Sequence, residues 1–173
     1  MKIVQSNAIS VNGMIAREDG DEDWLPSEGW DEFVADVTKY GNFIMGRETY
    51  ELVKKLYPDY NFDNVKADFK LIVTARHDYI QPDGYIVTHS PEEAVDFLKA
   101  KNAQVGLLIG GGNLNSSFYS KQLVDETWLT ISPTILGNGR SFVAAREFEV
   151  ELKLLEVIQL NKERIQIRYE VVK

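Results

Sequence analysis

Twice in this chain a short apolar run ends in glycine and opens straight into a helical pattern. Phe43-Ile-Met45 closes on Gly46 before Arg47-Glu-Thr49, and Val105 to Ile109 closes on Gly110-Gly111-Gly112. Runs this short, with no polar residue inside, suit strands covered on both faces, the environment of a parallel sheet. Lys70 to Thr74 and Tyr85 to Thr88 fit the same reading, and Lys2 to Val11, ended by Asn12-Gly13, reads as the first strand.

Helical patterns separate these runs. Trp30, Phe33, Val34, Val37 and Tyr40 recur at helical spacing, with Ser27 as the N-cap and Gly41 as the stop. A second helix is predicted from Arg47 to about Leu56, before Pro58. Ser90-Pro-Glu-Glu93 carries the signature of a capping box and opens a helix to about Lys101. Another helix follows Gly112 and reaches about Lys121. The tail changes character: Glu126 to Ser132 reads as a strand, and Leu152 to Leu160 with Ile165 to Val172 as an antiparallel pair around Asn161-Lys162. The pattern predicts an α/β fold with a mainly parallel central sheet flanked by helices and an antiparallel C-terminal edge hairpin. With 173 residues and no linker or repeat, one domain over 1–173 is expected.

Composition removes several classes of function. The net charge of −8 argues against nucleic acid, whose binders present a basic face. The absence of cysteine excludes thiolate nucleophiles, disulfides and Cys-based zinc sites, and two histidines give no basis for a metal cluster. No apolar run approaches the ~18 residues of a membrane span, and the N-terminus lacks a signal-peptide pattern. A soluble, cytoplasmic protein without a membrane partner is expected.

Several segments could carry chemistry. Gly110-Gly111-Gly112 permits close backbone approach to a ligand, with a helix start offering N–H groups to a phosphate; a plain tight turn fits the local sequence equally well. Gly46-Arg47-Glu48-Thr49 sits at a similar junction, where Arg47 either forks onto a phosphate or is a surface arginine. Thr74-Ala75-Arg76 ends a third run with a hydroxyl and a guanidinium. If the strands are parallel, all three lie on the carboxyl edge of the sheet, where α/β proteins collect ligands. Glu28 either sits buried between Trp24 and Phe33, with a raised pKa suited to a heterocycle, or meets the helix dipole in water. Asp31 and Glu32 are expected on the solvent face. The acidic run Glu18 to Asp23 lacks the spacing of a calcium loop and reads as a solvated, mobile segment; His77 and His89 read as loop residues.

Ala8-Ile-Ser-Val-Asn-Gly-Met-Ile-Ala16, Gly20-Asp-Glu-Asp-Trp-Leu25, Met45-Gly-Arg-Glu-Thr-Tyr50, Gly110-Gly-Gly112 and Pro133-Thr-Ile-Leu-Gly-Asn-Gly139 resemble, in order and spacing, the dihydrofolate reductase superfamily. Within it they are most similar to the reductase domain of bacterial riboflavin biosynthesis, and the resemblance covers nearly the whole chain. It implies an NADPH-dependent reductase acting on a pyrimidine- or pteridine-type heterocycle. Ala8, Ile15 and Ala16 would line the nicotinamide pocket. Gly46, Arg47, Thr49 and Gly110, Gly111, Gly112, Asn113, Leu114 would hold the pyrophosphate. Thr74, Ala75 and Arg76 would hold the adenosine ribose and its 2′-phosphate. Glu28 with Thr130 would form the catalytic pair, and Trp24 with Phe33 would enclose the substrate ring. The loop from Asn12 to Trp24 would close over it. The family more often has Asp where this chain has Asn12. The resemblance also implies a homodimer, with the strands from Leu152 to Val172 as the candidate contact. Dihydrofolate reductase itself and a nucleotide-binding protein without turnover are the alternative readings.

Overall fold

In the computed structural model, which describes residues 1–59 and 61–173, successive side chains of the central strands enter two different apolar layers. The chain runs β1 (Lys2–Ser10), β2 (Met14–Ala16), α1 (Glu28–Tyr40), β3 (Asn42–Gly46), α2 (Arg47–Leu56), β4 (Phe69–Val73) and β5 (Ile86–Thr88). It continues through α3 (Pro91–Ala100), β6 (Val105–Gly110), α4 (Gly112–Ser120), β7 (Glu126–Ser132), β8 (Arg140–Ser141), β9 (Leu152–Gln159) and β10 (Ile165–Val171). In β3, Phe43 and Met45 join Val37, Tyr50 and Val53 of α1 and α2, while Ile44 joins Ala94, Leu98 and Phe118 of α3 and α4. In β6, Leu107 and Leu108 divide the same way. Helices on both faces are why these strands have no polar alternation. Each fully buried Phe, Ile or Leu contributes about 1.5–3 kcal/mol relative to exposure.

Eight strands form one sheet in the order β5-β4-β3-β6-β1-β7-β10-β9. All pairs from β5 through β7 are parallel, and β10 pairs antiparallel with both β7 and β9. This is the predicted α/β sheet with its antiparallel C-terminal hairpin. Register places Gly46 beside Val73 and Met45 beside Gly110, so the ends of β3, β4 and β6 meet at one edge.

Three local expectations are corrected. The segment after Asn12 is not wholly loop, because Met14–Ala16 pairs with Arg140–Ser141 in a separate two-stranded sheet. Ser27 stands at the N-cap of α1 but makes no side-chain cap bond. The box at α3 is half formed: Ser90 Oγ accepts from the Glu93 N–H at 3.1 Å, whereas the Glu93 carboxylate accepts from the His89 N–H at 2.7 Å, one residue before the cap. Among the described residues no helix is long and apolar enough to cross a membrane.

Candidate active site

A cleft of about 1150 Å³ runs along the carboxyl edge of the sheet, between α1 and the β2–β8 flap. Its floor is built by two glycine-started helices. The N-caps of α2 and α4 are Gly46 and Gly111, and neither helix has a side-chain cap, unlike α3 with Ser90. Their first-turn N–H groups, with the positive ends of two helix dipoles, are therefore available to an anion in the cleft. Thr49 locks the two starts together, its Oγ1 accepting from the Gly111 N–H at 2.8 Å.

The structure brings most of the anticipated residues to this cleft. Ala8, Ile15, Ala16, Gly46, Arg47, Thr49, Thr74, Ala75, Arg76, Gly111, Gly112, Asn113, Leu114, Phe33 and Thr130 all line it. Gly110 lies behind the lining, at a φ of 102° that favours glycine, with Asn115 packed against it. Arg47 is tied to Glu51 at 2.5 Å and to Glu48 at 3.2 Å. The Arg76 guanidinium forks onto Asp78 at 3.1 and 2.9 Å, and the Arg76 N–H donates to Thr74 Oγ1 at 3.2 Å. His89 Nδ1 stands 3.1 Å from the Thr74 carbonyl, so this histidine braces the end of β4.

Trp24 and Glu28 do not line the cleft. Glu28 is exposed, with only Ser27 Oγ near its carboxylate at 3.5 Å, because the first turn of α1 points it outward. Of the two readings of Glu28, the structure shows the exposed carboxylate in the first turn of α1 and not the one buried between Trp24 and Phe33. Phe33 instead packs against Trp30, Phe43 and Phe62. Glu32 was expected on the solvent face, yet its two oxygens accept from the Arg164 guanidinium at 3.0 and 2.7 Å.

Other carboxylates line the cleft that sequence reasoning passed over. Asp36 follows Gly29, Glu32 and Phe33 on one face of α1, a spacing that could have been read from the helix period. Burial raises its pKa against the opposing pull of Arg168. Glu22, in the acidic run, is half-buried, and desolvation followed by repulsion from Asp21 pushes it up to about 7. That run is also anchored: the Tyr57 hydroxyl donates to Asp21 at 2.5 Å and Arg17 pairs with Asp23 at 2.5 Å. Gln166, on β10, donates through Nε2 to Thr130 Oγ1 at 3.2 Å.

Glu22 yields a signed prediction. Its folded pKa of about 7 lies above the ordinary 4.5, so between those values the folded chain holds a proton that the unfolded chain releases. Stability should therefore fall as pH rises through this window, and Glu22→Gln should flatten that part of the profile. Melting temperatures followed by circular dichroism from pH 4.5 to 7.5 check it; equal slopes in both proteins would refute it.

A mostly parallel sheet covered on both faces, with two open helix starts on its carboxyl edge, is an α/β architecture that solved reductases share. Dihydrofolate reductase from Enterococcus faecalis, solved with NADP(H), superposes with a TM-score of 0.74 at 17% identity, covering 99% of this chain and 97% of that one. A Shewanella sp. PV-4 protein provisionally named for riboflavin biosynthesis gives 0.81 at 22% identity, with both chains covered throughout. The uncharacterized protein YwjB of Bacillus subtilis (strain 168) is 30% identical over 177 residues, 97% of either chain. Residues 1–165 match the RibD C-terminal domain, and the chain belongs to that reductase-like family.

Proposed function

We propose that this protein is an NADPH-dependent reductase that transfers hydride to a pyrimidine- or pteridine-type ring. The observation that carries the reading is the meeting of two uncapped, glycine-started helices with Thr74-Ala75-Arg76 in one cleft. A dinucleotide with phosphates at both ends of its adenosine matches that set. Gly46, Arg47, Thr49 and Gly111 to Leu114 would hold the pyrophosphate, and Thr74 to Arg76 the ribose and 2′-phosphate. Ala8, Ile15 and Ala16 would border the nicotinamide, which supplies the hydride when bound. The chain's own part is to position the ring beside Phe33 and Thr130 and to exclude water under the β2–β8 flap. The exposed Glu28 leaves the dihydrofolate reductase alternative without the carboxylate on which it rested.

Titration of NADPH and then NADH, read by tryptophan fluorescence, tests the cofactor. NADPH is expected to bind at least tenfold more tightly, and Arg76→Ala to bring the two nearly level by removing a charge-assisted contact to the 2′-phosphate. Binding of neither nucleotide would overturn the reductase reading.

We also propose that two copies pair through the C-terminal hairpin. The edge strand β9 exposes Leu152, Leu154, Leu155 and Val157, with Leu154 and Val157 each 55% exposed. Register puts Leu152, Leu154 and Val157 on the face shared with Tyr169 and Ile167 of β10. An edge strand this apolar invites a partner. Light scattering at micromolar concentration should give twice 19.7 kDa for the chain, and Leu154→Asp with Val157→Asp should halve it. A monomeric mass for the unaltered chain would sink the dimer.

A further inference from the structure

The charged loop between β2 and α1 is folded back on itself, and its anchors fix where Glu22 stands. The Arg17 N–H donates to the Asp21 carbonyl at 2.8 Å, so Glu22 directly follows a residue bonded to the one beyond Ala16 of β2. From the end of α2, the Tyr57 hydroxyl accepts from the Glu22 N–H at 3.2 Å and donates to the Asp21 carboxylate. The Leu25 N–H closes a turn on the Glu22 carbonyl at 2.8 Å. Gly20 packs so tightly on Leu52 of α2 that a Cβ would have no room. The backbone on both sides of Glu22 is thus held, and Ala16 and Glu22 both line the cleft.

The Glu22 carboxylate itself makes no hydrogen bond or ion pair among the described residues. The charged groups around it are engaged elsewhere. On its own loop, Arg17 pairs with Asp23 at 2.5 Å and Asp21 accepts from Tyr57. From the flap, Arg140 lies beside Gly20 and donates to the Glu18 carbonyl at 3.1 Å. From α1, Glu32 is committed to Arg164, while Asp31 and Asp36 line the same cleft. With no cation paired to it, burial followed by the repulsion of Asp21 holds the Glu22 carboxyl up at about 7. Half-buried on the wall of a cleft, this group can hold a proton near neutrality and still exchange it with water.

In the reductase reading the nicotinamide would border Ala8, Ile15 and Ala16, the side from which the loop carries Glu22. Hydride transfer to the carbon of a ring C=N bond oxidises NADPH to NADP+, and the nitrogen must take a proton. The same transfer leaves a positive charge on a cofactor ring that was neutral before it. A carboxylic acid near that ring keeps its proton while the ring is neutral and ionises more readily once the ring is a cation. One side chain can therefore meet both needs in the same step.

We infer that Glu22 holds a proton while the cofactor is reduced and gives it up when the cofactor is oxidised, which makes it the acid of the hydride-transfer step. The Glu22 O–H bond breaks as an N–H bond forms on the substrate ring. The substrate gains a hydride and a proton, NADPH becomes NADP+, and Glu22 is left as a carboxylate that solvent reprotonates. This rests on the reductase reading above and adds a catalytic residue to it.

NADP+ and NADPH differ only in the nicotinamide ring, so ionisation of the 2′-phosphate and of His89 cancels when the two are compared. Calorimetric titration of each into the full chain at pH 6, 7 and 8, in two buffers of different ionisation enthalpy, reads affinity and proton exchange together. Relative to NADPH, NADP+ should gain about fivefold or more in affinity across that span. At pH 7 its binding should release about half a proton more per chain. Glu22→Gln should remove both differences. In the unaltered protein, the Glu22 carboxyl carbon followed by NMR should titrate at lower pH with NADP+ than with NADPH, a readout that needs no substitution. Failure of both nucleotides to bind would remove the reductase reading and this inference with it. With both bound, an affinity ratio indifferent to pH, a difference that survives Glu22→Gln, or one that Asp36→Asn removes instead would each overturn the inference alone.

Discussion

Glu32→Ala is expected to destabilise the protein by about 3–5 kcal/mol, the cost of leaving a buried guanidinium without its carboxylate. Arg164 is held in a two-pronged pair with Glu32, its side chain only 3% exposed, and its Nε has no partner among the described residues. Glu32 is 34% exposed, so the two partners are not equivalent. Arg164→Met keeps an aliphatic stem in the buried space and leaves a carboxylate that water can reach. It should cost about 1–2 kcal/mol. Combining both substitutions should restore most of what Glu32→Ala loses, because no charge then remains buried. Urea unfolding of the three variants measures this. A larger loss for Arg164→Met than for Glu32→Ala would refute the account. The pair also ties the β9–β10 hairpin to α1, so Glu32→Ala should loosen the α1 side of the cleft.

The second large effect is expected at Gly112. A methyl group there would lie 2.5 Å from the Ser141 carbonyl oxygen and 3.3 Å from the Ala144 nitrogen, both backbone atoms. The segment from Ser141 to Ala144 cannot yield freely, because it is sewn to α4. The Ala144 N–H donates to the Gly112 carbonyl at 3.2 Å, Asn115 Nδ2 to the Phe142 carbonyl at 2.7 Å, and Ser116 Oγ to the Ala144 carbonyl at 2.9 Å. Gly112→Ala should therefore cost about 2 kcal/mol through overpacking and lost hydrogen bonds. For a chain of this size that is roughly 4–8 °C in melting temperature. It should also weaken NADPH more than tenfold, since it displaces the start of α4. Gly137→Ala is the control, because a Cβ there meets nothing within 4 Å. Unchanged NADPH affinity in Gly112→Ala would remove α4 from the proposed cofactor site.

How legible each part was follows from how local its cause is. The strand ending at Gly46, the helix from Arg47 and the cap at Ser90 depend on residues within a few positions of one another, and the sequence pattern placed them closely. The convergence of Gly46, Thr74 to Arg76 and Gly111 followed from one added premise, that the strands are parallel, and the register bears that premise out. Where Glu28 points was not legible, because its position near Leu25-Pro26 carries no information about the direction of the first turn of α1. Gln166 escaped notice because its neighbour Thr130 lies across a strand pairing that only the folded hairpin creates.

From sequence alone came the α/β class, the uninterrupted apolar strands, the glycine-started helices and the edge on which a ligand would gather. Those features are set by side-chain period, backbone freedom and capping, each acting over a turn or less. Tertiary structure alone decided which acids face the cleft, that Glu32 is committed to Arg164 132 residues away, and that Met14–Ala16 closes as a flap on Arg140–Ser141. Those pairings are fixed by packing between distant segments, where burial and charge compensation select partners that no local pattern encodes.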